Sequence, residues 1–79
     1  MNEDEIYTRL ASLFHDVFDD DSLVVSPELS AKDVDGWDSI THIRLLLTVE
    51  RAFKLKFSTI EIGNLENVGS LVKLIAART

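Results

Sequence analysis

Gly36-Trp37-Asp38-Ser39-Ile40-Thr41-His42-Ile43-Arg44-Leu45-Leu46-Leu47 passes from a loop into a helix that is apolar on two opposite sides. At about 100° per residue, His42, Leu45, Leu46, Val49, Ala52 and Phe53 fall on one side of residues 39–53. Ile40, Ile43 and Leu47 fall on the other, and Glu50, Arg51 and Lys54 continue that second stripe. One apolar face is enough to join a core. A second one, beginning beside Ser39, implies that something docks there. Asp38 is the expected N-cap, since its carboxylate can accept from the first free backbone N–H groups. Ser39 would then stand in the first turn, where other proteins can reach it.

Working outward, Ile6, Leu10, Leu13, Phe14, Val17 and Phe18 recur at helical spacing, which predicts a helix over residues 3–18. Asn2 with Glu5 resembles a capping box at its start, and Asp19-Asp20-Asp21 end it because acids are unfavourable at a helix C-terminus. Residues 19–37 form a long connection with one proline, Pro27. Such a loop inside a small domain must be functional or packed, and Leu23, Val24, Val25, Leu29, Val34 and Trp37 let it pack. A helical turn is expected near Ser30–Val34. Ser58-Thr59-Ile60-Glu61 is a second capping-box signature, opening a short helix that Gly63 and Asn64 stop. Asn67 caps a last helix over residues 68–78, with Val68, Leu71, Val72, Leu74 and Ile75 inward and Gly69 weakening its first turn slightly. No run alternates with a period of two. The predicted fold is all-α: a small antiparallel helical bundle of three main helices plus one short helix. Its expected core is Leu10, Phe14, Leu46, Val49, Phe53, Leu71 and Ile75, and residues 1–79 form one domain, expected to be a monomer.

Composition narrows the function. With 46% hydrophobic residues and a single proline, the 79-residue chain has the make-up of a folded domain, not a disordered one. The absence of cysteine excludes a disulfide frame and a thiolate metal site. A net charge of −6 argues against nucleic-acid binding, because phosphate backbones repel such a surface. The acidic start, Met1-Asn2-Glu3-Asp4-Glu5, is unlike a secretory or transit signal, and no apolar stretch is long enough for membrane insertion. The cytoplasm is the expected location. The charge is uneven: residues 1–38 hold eleven acids and two bases, residues 39–79 three acids and six bases.

Ser39 needs activation to react. His42 lies three residues on but turns toward the core side, no third group orients it, and Gly36-Trp37-Asp38-Ser39-Ile40 is not a G-x-S-x-G elbow. His42 reads as a packing residue and the chain as a non-enzyme. Asp33-Val34-Asp35-Gly36-Trp37-Asp38 lacks the glutamate that closes a calcium loop, so solvated acids explain it and no metal site is expected. A helix N-terminus does favour an added phosphate, by about 0.3–1 kcal/mol. That favours a group attached to Ser39 by a separate enzyme.

Asp38-Ser39-Ile40, with Gly36 before it and an apolar helix after it, resembles the attachment motif of acyl carrier proteins, usually Asp-Ser-Leu. The likeness covers nearly the whole chain: an amphipathic first helix, a long acidic loop, the Ser39 helix, a short third helix and a capped fourth. The tripeptide alone is common; its place in this layout is specific. The resemblance implies that Ser39 receives 4′-phosphopantetheine from coenzyme A, with Asp38 as its motif neighbour, and that the thiol of this arm holds acyl or aminoacyl groups as thioesters. It implies a phosphopantetheinyl transferase and acyl-loading and acyl-processing enzymes as partners, in fatty-acid-like, polyketide or other specialised biosynthesis. Ile40, Ile43 and Leu47 match the apolar patch that such carriers present, and Arg44 stands on the same side. Thr41 and Arg44 occupy positions that are often acidic in carriers of fatty-acid synthesis, and Arg51, Lys54 and Lys56 add positive charge. Trp37 before the Asp-Ser pair is more like carriers of specialised pathways. A different class of function is a non-covalent helical adaptor that binds through Ile40, Ile43 and Leu47, with Ser39 incidental.

Overall fold

Asn2 accepts the Glu5 N–H at 2.8 Å and so opens α1 (Glu3–Phe18), the first element of the computed structural model, which describes residues 2–79. The Glu5 carboxylate meets the Asn2 side-chain amide, so this cap closes between side chains rather than as a capping box. α1 ends at Asp19, which takes a left-handed conformation (φ 51°) and donates its N–H to His15 O. Aspartate tolerates that conformation better than most residues, which adds a steric cause to the electrostatic one.

A 3-10 turn, Ala31–Asp33, lies in the long connection where a helical turn is expected. α2 (Ser39–Phe53) is capped by Asp38, α3 (Thr59–Gly63) by a capping box of Ser58 and Glu61, and α4 (Val68–Arg78) by Asn67. Among the described residues there is no strand, and the fold is an all-α bundle of three main helices and one short one. Gly63 belongs to α3 instead of stopping it; Asn64 forms the C-cap in right-handed geometry.

α1 packs against both α2 and α4. Ile6, Leu10 and Phe14 from α1, Leu45, Leu46, Val49 and Phe53 from α2, and Val68, Leu71, Val72 and Ile75 from α4 form one buried cluster. Each set sits at three- and four-residue spacing, so one stripe per helix suffices. Two residues read as inward are not. Ala52 is exposed and Leu74 is half-buried, each at the edge of its stripe and outside the common core.

The long connection is ordered by backbone bonds. Val68 and Gly69 donate their N–H groups to Leu29 O (2.9 Å) and Pro27 O (3.0 Å), while Asn67 caps Ser70. The first free donors of α4 are thus satisfied by the loop. A Cβ on Gly69 would stand 3.1 Å from Pro27 O, so glycine permits this approach, a reason for Gly69 that its helix propensity does not suggest. His15 donates from Nε2 to Leu23 O at 2.8 Å, fastening the other end of the loop to α1. At the far end, Arg78 bonds both the Glu61 carboxylate and Lys56 O, tying α4 to α3 and the segment before it.

Phe53 is nearly buried and carries the Arg9 guanidinium over its ring. Phe53→Ala should therefore cost about 3–5 kcal/mol, much of a small domain's stability. Leu47→Ala should stay within about 0.5 kcal/mol of the parent. Urea unfolding followed by circular dichroism separates the two; an unchanged midpoint for Phe53→Ala would remove that residue from the core.

Candidate functional site

Trp37 sets the start of α2. Gly36 takes a positive φ of 86°, and Trp37 N–H closes a turn onto Val34 O. The indole turns inward and meets Phe14 edge-on (centroids 5.5 Å apart, 84° between planes) and Phe18 at 5.6 Å. Its Nε1–H donates to His42 Nδ1 at 3.1 Å, and the two rings stack with 27° between planes. Both residues are half-buried. The chain reverses direction at the indole, so the next residues face outward.

Asp38 and Ser39 are exposed. Asp38 Oδ1 accepts the Thr41 N–H at 2.9 Å. Hydrogen bonds from Thr41 hold the Asp38 carboxyl below the ordinary carboxylate range. Ser39 is the first residue of α2, and its hydroxyl makes no hydrogen bond to another described residue. The bond between Trp37 and His42 uses the neutral imidazole with its proton on Nε2. Nδ1 is occupied and Nε2 is a donor, so His42 has no free lone pair with which to deprotonate Ser39.

Beside Ser39 runs an open groove lined by Ala31, Trp37, Asp38, His42, Ile43 and Leu65. Behind it, enclosed by Trp37, His42, Leu45, Leu46, Leu65 and Leu71 among others, lies a small cavity of about 70 Å³. Trp37 and His42 line both spaces and form part of the wall between them.

The second stripe of α2 is open. Ile40, Ile43 and Leu47 are 72%, 58% and 48% exposed, and Arg44 is exposed beside them. The site residues read from sequence thus share one end and one outer face of α2. Ile60 of α3 (77% exposed) and Val24 of the long loop (76% exposed) are further bare apolar side chains, so Val24, unlike Leu23, Val25 and Val34, does not pack the loop as expected. α3 is too short for a periodicity to mark Ile60 as outward. Asp33 and Asp38, candidates for a cation loop, serve as caps: Asp33 Oδ2 accepts the Ser30 N–H at 3.0 Å, as Asp38 does for Thr41.

The depressed Asp38 and Glu61 carboxyls give the pH response its sign. Glu61 is held down first by the Ser58 N–H and then by Arg78. Each folded value lies below the unfolded one, so the stabilisation is present above the unfolded range. It is lost as pH falls through the folded value. Their share of the melting temperature should be constant above about pH 5 and fall, as an acid limb, below about pH 4. Asp38→Asn, whose amide oxygen still caps, should flatten part of that acid limb; an unaltered limb would show that the Asp38 charge does not contribute.

No family profile matches the chain. An acyl carrier protein from Acidothermus cellulolyticus is 30% identical over 79 residues, spanning 100% of this chain and 94% of the other. The solution NMR structure of a holo acyl carrier protein from Geobacter metallireducens superposes with a TM-score of 0.86 at 42% identity, over 90% of this chain and 82% of that one. A full-length match in sequence, together with the shared helical fold, means that the chain belongs to the acyl carrier protein family.

Proposed function

We propose that Ser39 carries 4′-phosphopantetheine, taken from coenzyme A by a phosphopantetheinyl transferase. The observation that supports this best is an exposed, unengaged hydroxyl in the first turn of α2, bordered by an apolar groove and an open apolar stripe. In the transfer, Ser39 Oγ bonds to the phosphorus that bears the pantetheine arm, the pyrophosphate link of coenzyme A breaks, adenosine 3′,5′-bisphosphate leaves with the bridging oxygen, and the hydroxyl proton passes to the transferase. When bound, the arm supplies a thiol that holds acyl or aminoacyl groups as thioesters.

The chain's own residues do the rest. Trp37 and Asp38 hold the start of α2 so that Oγ faces outward. The free N–H groups of the first turn favour the phosphodiester by about 0.3–1 kcal/mol. The apolar walls of the groove suit the aliphatic part of the arm. Ile40, Ile43 and Leu47 are the docking surface for the transferase and for acyl-loading and acyl-processing enzymes, and Arg44 discriminates among them. The chain acts as a cytoplasmic monomer with no catalysis of its own, in fatty-acid-like, polyketide or other specialised biosynthesis.

Incubation with coenzyme A, magnesium and a broad-specificity transferase should add a single arm by intact mass, and Ser39→Ala should abolish the addition with melting temperature unchanged. Modification persisting in Ser39→Ala would move the site. No modification of the parent would favour the adaptor reading. Leu47→Ala should slow modification several-fold in the folded protein, since an exposed apolar anchor carries about 1–2 kcal/mol of binding. Normal kinetics would remove Leu47 from the docking face.

A further inference from the structure

α2 carries cations that form no ion pair with another described residue. Arg44, Arg51 and Lys54 are exposed among Ile40, Ile43 and Leu47 on its outer side, and exposed Lys56 follows. Among the described residues the one ion pair joins Arg78 to Glu61, neither of them on α2, with Arg78 also reaching Lys56 O. The two acids next to this face are engaged by backbone. Glu50 is half-buried and accepts the Phe57 N–H at 2.8 Å; Asp38 caps Thr41. A groove lined by Leu47, Leu55, Glu50, Arg51, Lys54 and Lys56 prolongs the apolar stripe, with three cations to one acid around it.

A helix C-terminus welcomes cations, which accounts for Arg51 and Lys54. It does not account for Arg44, which lies in the second turn of α2, closer to the end that disfavours a cation. The face is also opposite in sign to the chain, whose net charge is −6. At physiological salt the screening length is about 8 Å. A partner in contact with α2 therefore responds mainly to these local cations, while the acids of residues 1–38 act chiefly at longer range and lower salt.

We propose that the outer face of α2 docks on a protein surface whose apolar side chains are flanked by carboxylates. This specifies the partner of the docking face proposed above and rests on that reading. The apolar residues supply contact area. Arg44, Arg51 and Lys54 pair with acids and disfavour partners with basic binding faces, because like charges brought together suppress association. An anionic lipid surface offers a similar mixture, but three apolar side chains on a helix already docked to a core give little insertion.

The test uses the unmodified chain, labelled with nitrogen-15, and two synthetic helical peptides that share the same leucine positions. One flanks them with glutamates, the other with lysines. The glutamate peptide should shift amides of residues 40–54 and bind about tenfold tighter than the lysine peptide at physiological salt. Arg44→Glu combined with Arg51→Glu, checked for an unchanged melting temperature, should reverse the preference. Preference of the parent for the lysine peptide, binding of neither peptide, shifts centred outside residues 40–54, or stronger binding to phosphatidylserine vesicles than to the glutamate peptide would each overturn the proposal. Ser39 modification is scored separately by intact mass. Lost peptide preference with normal modification defeats only the charge assignment, whereas normal preference without modification defeats only the carrier site.

Discussion

The indole of Trp37 is the fixed point of this molecule. It is held by two aromatic rings of α1 and by the first turn of α2 at once, through Phe14, Phe18 and His42. Aromatic pairs of this geometry contribute about 0.5–1.5 kcal/mol each beyond area burial, so the cluster matters in a domain whose total stability is small. Its directional consequence is greater. With the indole turned in and Gly36 reversing the chain before it, Asp38 and Ser39 face outward. The rotation of α2 follows, with Leu45, Leu46 and Val49 toward α1 and Ile40, Ile43 and Leu47 toward solvent.

A second constraint is size. A chain of 79 residues buries only about 60–65% of its unfolded surface, so a long loop left in solvent would waste much of its apolar content. Here the loop is part of the structure. Leu29 is buried in the common core, and Leu23, Val25, Val34 and Trp37 pack against it. The carbonyls of Pro27 and Leu29 take the first N–H groups of α4. α4 therefore needs the loop to complete its N-terminus, and the loop needs α4 to stay ordered. Gly69 is where the two backbones come close enough for this exchange.

Local patterns carried much of this in the sequence. The limits of α1, α2 and α4 follow from apolar spacing and from Asn2, Asp38 and Asn67, because a cap is decided by residues three apart. The exposure of Ile40, Ile43 and Leu47 follows from angular counting along one helix. What was not legible depends on residues far apart in the chain. Nothing local tells that Pro27 and Leu29 meet the start of α4, and so Gly69 read as a weakness. Nothing local tells that Ala52 and Leu74 fall outside the common core. The Trp37–His42 bond lay between readable and unreadable: His42 was placed on the core side, but its partner needed the loop's path.

Asp38 shows how position and charge divide their work at the site. Its cap on Thr41 needs an oxygen acceptor, and asparagine would serve about as well. Its negative charge beside Ser39 partly opposes an anionic group on the neighbouring hydroxyl, since both draw on the same free N–H groups and the same dipole. The charge is thus more than the cap requires and slightly adverse to a finished phosphodiester. Under the function proposed for Ser39, the charge would serve at an earlier stage, where an exposed carboxylate next to the hydroxyl would help a modifying enzyme hold a divalent cation against the phosphate being transferred. Placement of the serine and assistance to its modification then belong to two separate properties of one side chain, its oxygen geometry and its ionisation.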